Sequence, residues 1–465
     1  MSHFDLIIIG SGSGNSILDE RFADWKVALV DKGVGSRESF GGTCLNVGCI
    51  PSKMFVHTAD VANSPTAGTR LGVDLESRGV DWPAVRDRIF GRIDPIADAG
   101  QRFRAEEQPN VRLLRGNARF TGQRRLSVDL PNGAETISAD RVVIAAGSRP
   151  WLPPIPGLAE SGSHTSDSIM RLDRLPERMT ILGSGFVAAE LAHVFASFGV
   201  RVTVVARSGA LLRHEDAEVS RRFTELANRT WDVRLNRKTV QAERIGDVVR
   251  LSLTGPDGPE TVEAEQLLVA VGRIPNADQL EAAVGGVDLT ADGRVTVDAH
   301  QQTTAEGVWA LGDVSSDHQL KHVANHEARI VQHNLLYPND LMRSDGLAVP
   351  HAVFSSPQIA AVGLTEAEAQ ARDVAYVSAV QEYAGIAYGW AMEDTTGFAK
   401  ILAEPDTGRL LGAHIIGPQA PTLIQPLIQA IQFGLDARTM AHGQYWIHPA
   451  MPELIENALL KLPLG

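Results

Sequence analysis

At 465 residues, with 44% apolar residues and 43 glycines, the chain is too long for one core and reads as three or four α/β domains. Its 56 acidic against 43 basic side chains leave a net charge of −13, which argues against generic nucleic-acid binding or attachment to an anionic membrane. No apolar run approaches the roughly 20 residues that span a bilayer. Phe4-Asp5-Leu6-Ile7-Ile8-Ile9 lacks a basic lead-in, so it predicts a first strand and not a signal peptide. With no scattered cysteines, the expected location is the cytoplasm.

In chain order, Leu6–Ile9 runs into Gly10-Ser11-Gly12-Ser13-Gly14 and a helical pattern, and Lys26–Val30 follows as a second strand. Val142–Gly147 closes this first unit, and the Pro-rich Arg149–Pro156 reads as a linker. The pattern then repeats. Met179–Leu182 runs into Gly183-Ser184-Gly185 and a helical stretch, Val200–Val205 follows, and Leu267–Arg273 closes the second unit. Two strand-turn-helix-strand units predict two dinucleotide-binding domains, their glycines letting backbone approach a pyrophosphate at a helix N-terminus. From about residue 346 a mixed pattern of strands and helices leads to an aromatic, His-bearing end.

The two units predict different ligands. The first strand pair ends at Asp31, a carboxylate placed to accept from a ribose 2′-OH and to repel a 2′-phosphate, so this site should take FAD or NAD. Its third glycine position holds Asn15, which predicts looser or shifted packing of the following helix. In the second unit the equivalent position is Ala206, followed by Arg207 and Arg213. A lost acid and two guanidiniums favour a 2′-phosphate, hence NADPH.

The only cysteines, Cys44 and Cys49, lie in Gly41-Gly42-Thr43-Cys44-Leu45-Asn46-Val47-Gly48-Cys49-Ile50-Pro51-Ser52-Lys53. An unbroken helix would hold them ~8.7 Å apart at Cα, so a bridge requires a distorted turn, which Gly48 permits. A zinc site fails for want of a second ligand cluster, and so short a closed loop stabilises a large domain little. Redox chemistry is the better reading.

Six ordered motifs now coincide: the first glycine turn; Gly41–Lys53; Gly183-Ser184-Gly185-Phe186-Val187-Ala188-Ala189-Glu190; Ala270-Val271-Gly272-Arg273; Ala310-Leu311-Gly312-Asp313-Val314; and His448-Pro449-Ala450-Met451-Pro452-Glu453. Together they resemble the FAD-dependent pyridine nucleotide-disulfide oxidoreductases nearly end to end. Four further stretches, Gly12–Arg21, Phe90–Pro95, Tyr388–Asp394 and Gly443–His448, resemble the branch whose substrate is mycothione. Glutathione disulfide or another small disulfide is the alternative substrate.

The resemblance implies two Rossmann-like domains and a C-terminal α+β dimerisation domain. Its expected divisions are residues 1–149 for FAD, 150–272 for NADPH, 273–345 completing the FAD site and 346–465 for dimerisation. Electrons would pass from NADPH through FAD to a Cys44–Cys49 disulfide, with Cys49 facing the flavin and Cys44 the substrate. His448, oriented by Glu453, would be the acid/base acting on the opposite subunit of a homodimer. Lys53 and Glu190 would pair beside the flavin, and Asp313 would bind its ribityl chain. Gly42, Thr43, Gly147, Val187, Gly272, Arg273 and Gly312 complete the cofactor-binding set. Phe186 stands where relatives have a gating tyrosine. His322 and His326, four residues apart, are read as a helix against the flavin, and no metal is predicted.

Overall fold

The computed structural model describes every residue except Asp345 and Leu347. The expected boundary between 345 and 346 falls on Asp345 and so lies outside the described residues.

The first sheet runs Val111–Arg115, Val27–Asp31, Ser2–Ile9, Gly133–Ile144, Arg125–Leu130, Asn117–Gly122. Ser2–Ile9 pairs in parallel on both sides, Ile7 opposite Ala28 and Val142. Burial on both faces explains why Leu6-Ile7-Ile8-Ile9 is continuously apolar rather than alternating. A short strand, Val308–Ala310, also pairs in parallel with Gly133–Ile144. It delivers Leu311-Gly312-Asp313 to the same sheet edge as the first glycine turn.

Gly10 and Gly183 occupy equivalent places in the two units. Their φ values are +110° and +141°, and a Cβ on either would lie 2.2 Å from a carbonyl oxygen, of Ala145 and Ala270 respectively. Only glycine fits where each turn crosses the neighbouring strand end.

The first turn corrects one expectation. No α-helix follows it; two 3-10 turns, Ser13–Ile17 and Glu20–Phe22, fill the crossover. Asn15 is the reason. Its side chain accepts from Arg104 Nε at 2.7 Å, and Arg104 Nη2 donates to the Asn15 carbonyl at 2.7 Å. A buried guanidinium binding side chain and backbone at once holds the segment out of the helical hydrogen-bond pattern.

The second unit has a parallel sheet ordered Asp232–Arg234, Arg201–Val205, Arg178–Leu182, Gln266–Val269, beside a three-stranded antiparallel sheet. Here a true α-helix, Phe186–Ser197, follows the turn, and Ala188–Phe195 is buried without a break. A helix buried on every side must be covered on every side, and the helix Cys49–Ala62 of the first unit packs against one of them. The predicted linker is in part a strand: Ser148–Pro150 pairs antiparallel with Arg273–Pro275, so the two crossings between units brace one another.

The C-terminal part is a five-stranded antiparallel sheet with helices packed on it. Lys400, on its strand Phe398–Ala403, is 1% exposed and donates to Asp216 (3.0 Å), Glu218 (3.1 Å) and Glu366 (2.7 Å). Asp216 caps the second unit's helix Ala217–Ala227, so a buried ion cluster fastens that unit to the C-terminal sheet. Among the described residues, no helix is long and apolar enough to cross a membrane.

Candidate active site

The helical run over the cysteine motif is broken. Gly42–Asn46 forms one short helix, Val47 and Gly48 leave helical geometry, and Cys49–Ala62 begins afresh. The break replaces the straight-helix spacing and lets the two thiols interact, each being the largest influence on the other's titration. It also makes Cys49 the first residue of a 14-residue helix, where the helix dipole favours a thiolate.

The two sulfurs are therefore unequal. The hydrogen bond from Cys44 lowers the Cys49 pKa to about 7 against the opposing effect of burial, and the Lys53 charge adds to the lowering. Cys44 is pushed up, first by donating that bond and then by burial. Of the two sulfurs, Cys49 is the one on which negative charge is favoured.

Lys53, one turn along the same helix, donates to Glu190 at 2.5 Å, and Glu190 also accepts from Phe354 N at 3.0 Å. Two turns farther on, Asp60 meets the buried His193 at 2.8 Å. The residues predicted as a pair from different units are thus brought together, and a second pair fastens the same two helices.

Cys44, Cys49, Lys53 and Glu190 line one cavity of roughly 1650 Å³, counting the space at its mouth. Gly10, Gly12, Ser13, Asp31, Gly42, Thr43, Gly147, Phe186, Val187, Arg273, Gly312 and Asp313 line it too. Gly12 and Gly42 face each other so closely that a Cβ on Gly42 would lie 2.7 Å from the Gly12 Cα. This side-chain-free cradle, an acid at the far strand end and the ion pair beside the thiols fit an extended dinucleotide carrying a redox ring at the cysteine end. Gly14 lies beneath, where a Cβ would strike the Ala145 side chain.

Several supporting residues carried no motif. Ser148 donates to Asp313 at 2.6 Å while Arg273 Nε donates to Ser148 at 2.8 Å. Asp31 is ion-paired with Arg115, and Glu327 accepts from the Gly312 amide at 2.6 Å. Ser148 adjoins the flagged Gly147 and was within reach of the sequence. Arg115 and Glu327 reach the site only through sheet register and helix placement.

Gly183, Gly185, Gly272, Arg207 and Arg213 do not line this cavity. Gly183, Arg207 and Gly272 follow the ends of the second unit's strands Arg178–Leu182, Arg201–Val205 and Gln266–Val269, and a Cβ on Gly185 would meet nothing within 4 Å. Arg207 and Arg213 are exposed and form no ion pair among the described residues. His448 Nδ1 lies 2.5 Å from Glu453 Oε1, as the motif predicts, but its side chain is 70% exposed and outside the cavity. Tyr445 and Ile447 beside it are bare as well. One subunit thus does not bring the His–Glu pair to its own thiols.

Two nucleotide-binding units joined over a thiol pair define a flavoprotein that carries electrons from a reduced nicotinamide to a disulfide. Residues 4–328 match the family model described as pyridine nucleotide-disulphide oxidoreductase, and residues 349–459 match that family's dimerisation domain. Mycothione reductase of Mycobacterium tuberculosis (strain ATCC 25618 / H37Rv) is 52% identical, covering 99% of this chain and 100% of that protein. Mercuric reductase of Streptomyces lividans is 33% identical over 94% of this chain and 92% of that one. A solved structure of the HOCl-induced flavoprotein disulfide reductase RclA from Escherichia coli superposes with a TM-score of 0.84 at 27% identity, covering 98% and 99% of the two chains. The chain belongs to the pyridine nucleotide-disulphide oxidoreductases, and its cofactors are FAD and NADPH.

Proposed function

We propose that this protein reduces mycothione to two molecules of mycothiol at the expense of NADPH. The observation that carries the reading is the 52% identity to mycothione reductase along essentially both chains, against 30–33% to mercuric reductases. The four stretches that resemble the mycothione branch support it.

FAD, when bound in the cavity, would supply two-electron transfer between NADPH and the cysteine pair. Lys53 balances charge beside the ring, held in place by Glu190. Asp313 and Asp31 are assigned to its ribityl and ribose hydroxyls, and Phe186 to the gate. With the pair reduced, Cys44 gives up its proton to the imidazole of His448 of the partner subunit and attacks one sulfur of the substrate disulfide, forming a mixed disulfide, and the leaving thiolate takes a proton. That proton comes from His448 of the partner subunit, whose imidazolium Glu453 stabilises. Cys49 then attacks Cys44, releasing the second thiol and restoring the intramolecular disulfide. The exposed His448, away from its own subunit's thiols, supports a homodimer with shared sites. We place the protein in the cytoplasm, bound to neither membrane nor nucleic acid, with residues 1–149 and 273–345 serving FAD, 150–272 NADPH and 346–465 dimerisation.

NADPH oxidation measured in parallel with mycothione, glutathione disulfide and lipoamide tests the substrate. Mycothione is expected to have by far the highest kcat/KM; equal turnover of glutathione disulfide would reject the reading. An Arg207→Ala/Arg213→Ala variant is expected to lose its preference for NADPH by about tenfold or more, two charge-assisted contacts being removed. Activity with NADH should be untouched. An unchanged preference would place the 2′-phosphate elsewhere.

A further inference from the structure

Besides Lys53, the cavity holds Lys32 and Lys321, neither of which the reaction above uses. Lys321 begins the 16-residue helix Lys321–Leu336 and lines the cavity with Cys44. Its Nζ donates to Ser13 Oγ at 2.8 Å. Ser13 follows Gly12, whose Cα abuts Gly42, and Gly42 opens the helix that carries Cys44. A chain of direct contacts thus sets the ammonium against the segment bearing the thiol assigned to the substrate.

Of the cavity's other charged groups, Lys32 lies at the Asp31 end, where it donates to Gln279, and is not among the charges that act on Cys44. Lys53 is neutralised by Glu190 and Asp31 by Arg115, and Asp313 is held by Ser148, itself bound by Arg273. Lys321 forms no ion pair among the described residues, and the Ser13 hydroxyl that accepts from it donates in turn to Asn325 Oδ1. The groups that act on Cys44 are Cys49, Lys53 and Lys321. The hydrogen bond to Cys49 and burial disfavour the Cys44 thiolate; the two lysine charges favour it.

We propose that Lys321 is a charge-supplying positioning residue of the redox centre, its unpaired ammonium stabilising the thiolate on Cys44 when that thiol attacks. Lys53, tied to a carboxylate, contributes little net charge; Lys321 supplies positive charge to the attacking sulfur. The inference rests on the assignment of Cys44 as the attacking thiol.

The test uses reduced, flavin-loaded dimer in a Cys49→Ser background, so that Cys44 is the only thiol. Its alkylation by iodoacetamide is followed against pH. Adding Lys321→Met is expected to slow alkylation at neutral pH at least about threefold, a rise of about half a unit in the midpoint. Lys321→Arg should restore most of the rate. Lys321→Gln is read in the same way as Lys321→Met. A midpoint unmoved in both neutral variants would overturn the proposal, and so would loss of flavin from both, which would assign Lys321 to holding the cofactor. The underlying assignment is tested separately: disulfide turnover persisting in Cys44→Ser would remove Cys44 from the reaction whatever Lys321 does.

Discussion

A Cys44→Ser variant is expected to bind FAD and accept electrons from NADPH, yet to reduce disulfides at least about a thousandfold more slowly than the wild type. The expectation follows from the division of labour between the sulfurs. Cys49, at a helix start with a pKa near 7, holds charge. Cys44 is the sulfur left to reach a substrate. A serine at 44 therefore preserves the long-wavelength absorbance of a thiolate against the flavin, whereas a serine at 49 abolishes it. His448→Ala should slow turnover about 10²–10⁴-fold through loss of a positioned acid. Mixing the Cys44→Ser and His448→Ala chains under conditions that allow subunits to exchange is then decisive. If the thiols of one chain work with the imidazole of the other, the mixed dimer regains an intact site and with it turnover that neither variant has. A mixture as dead as its components would confine each site to a single subunit.

Lys400→Met is expected to lower stability by about 3–5 kcal/mol, the cost of stranding carboxylates around a vanished buried charge. Lys400 and Asp216 are each 1% exposed, so solvent cannot replace the lost ammonium. The pH dependence has a definite sign. Burial acts to raise the Asp216 carboxyl, but the hydrogen bond from Lys400, with further help from His414, Lys400's charge and the Glu218 amide, holds it below its ordinary value. A depressed carboxyl contributes stability above its unfolded pKa of about 4 and loses it as pH falls through the folded value. The gap between wild type and variant in denaturant midpoint should accordingly be full at pH 7 and shrink below pH 4. Equal midpoints at pH 7 would show that the cluster contributes nothing net.

Local chemistry was legible in the sequence; geometry between distant segments was not. Paired glycine turns, Asp31, the lone cysteines and the His448–Glu453 spacing each announce themselves within a few residues. Lys53 and Glu190 became a pair only through resemblance, since nothing local ties residues 137 apart. The α-helix expected after Gly14 failed because Arg104, 89 positions downstream of Asn15, claims the hydrogen-bonding groups that a helix would use. Arg149–Pro150 looked like a linker because prolines punctuate it, yet the partner strand Arg273–Pro275 lies more than a hundred residues away. Lys400, in sequence an ordinary strand residue, reveals its burial only when three carboxylates from two other segments close around it.

The double fastening of the helices Cys49–Ala62 and Phe186–Ser197 bears on how the nicotinamide reaches the ring. Prising the two halves apart would strand the Glu190 carboxylate and tear His193 from Asp60. A hinge is thus a costly door. Phe186, at the start of its helix and 46% exposed, can instead swing on its own side-chain torsions. Admission is expected to be a matter of one ring turning within a stiff frame, on the fast timescale of rotamer exchange rather than that of domain motion.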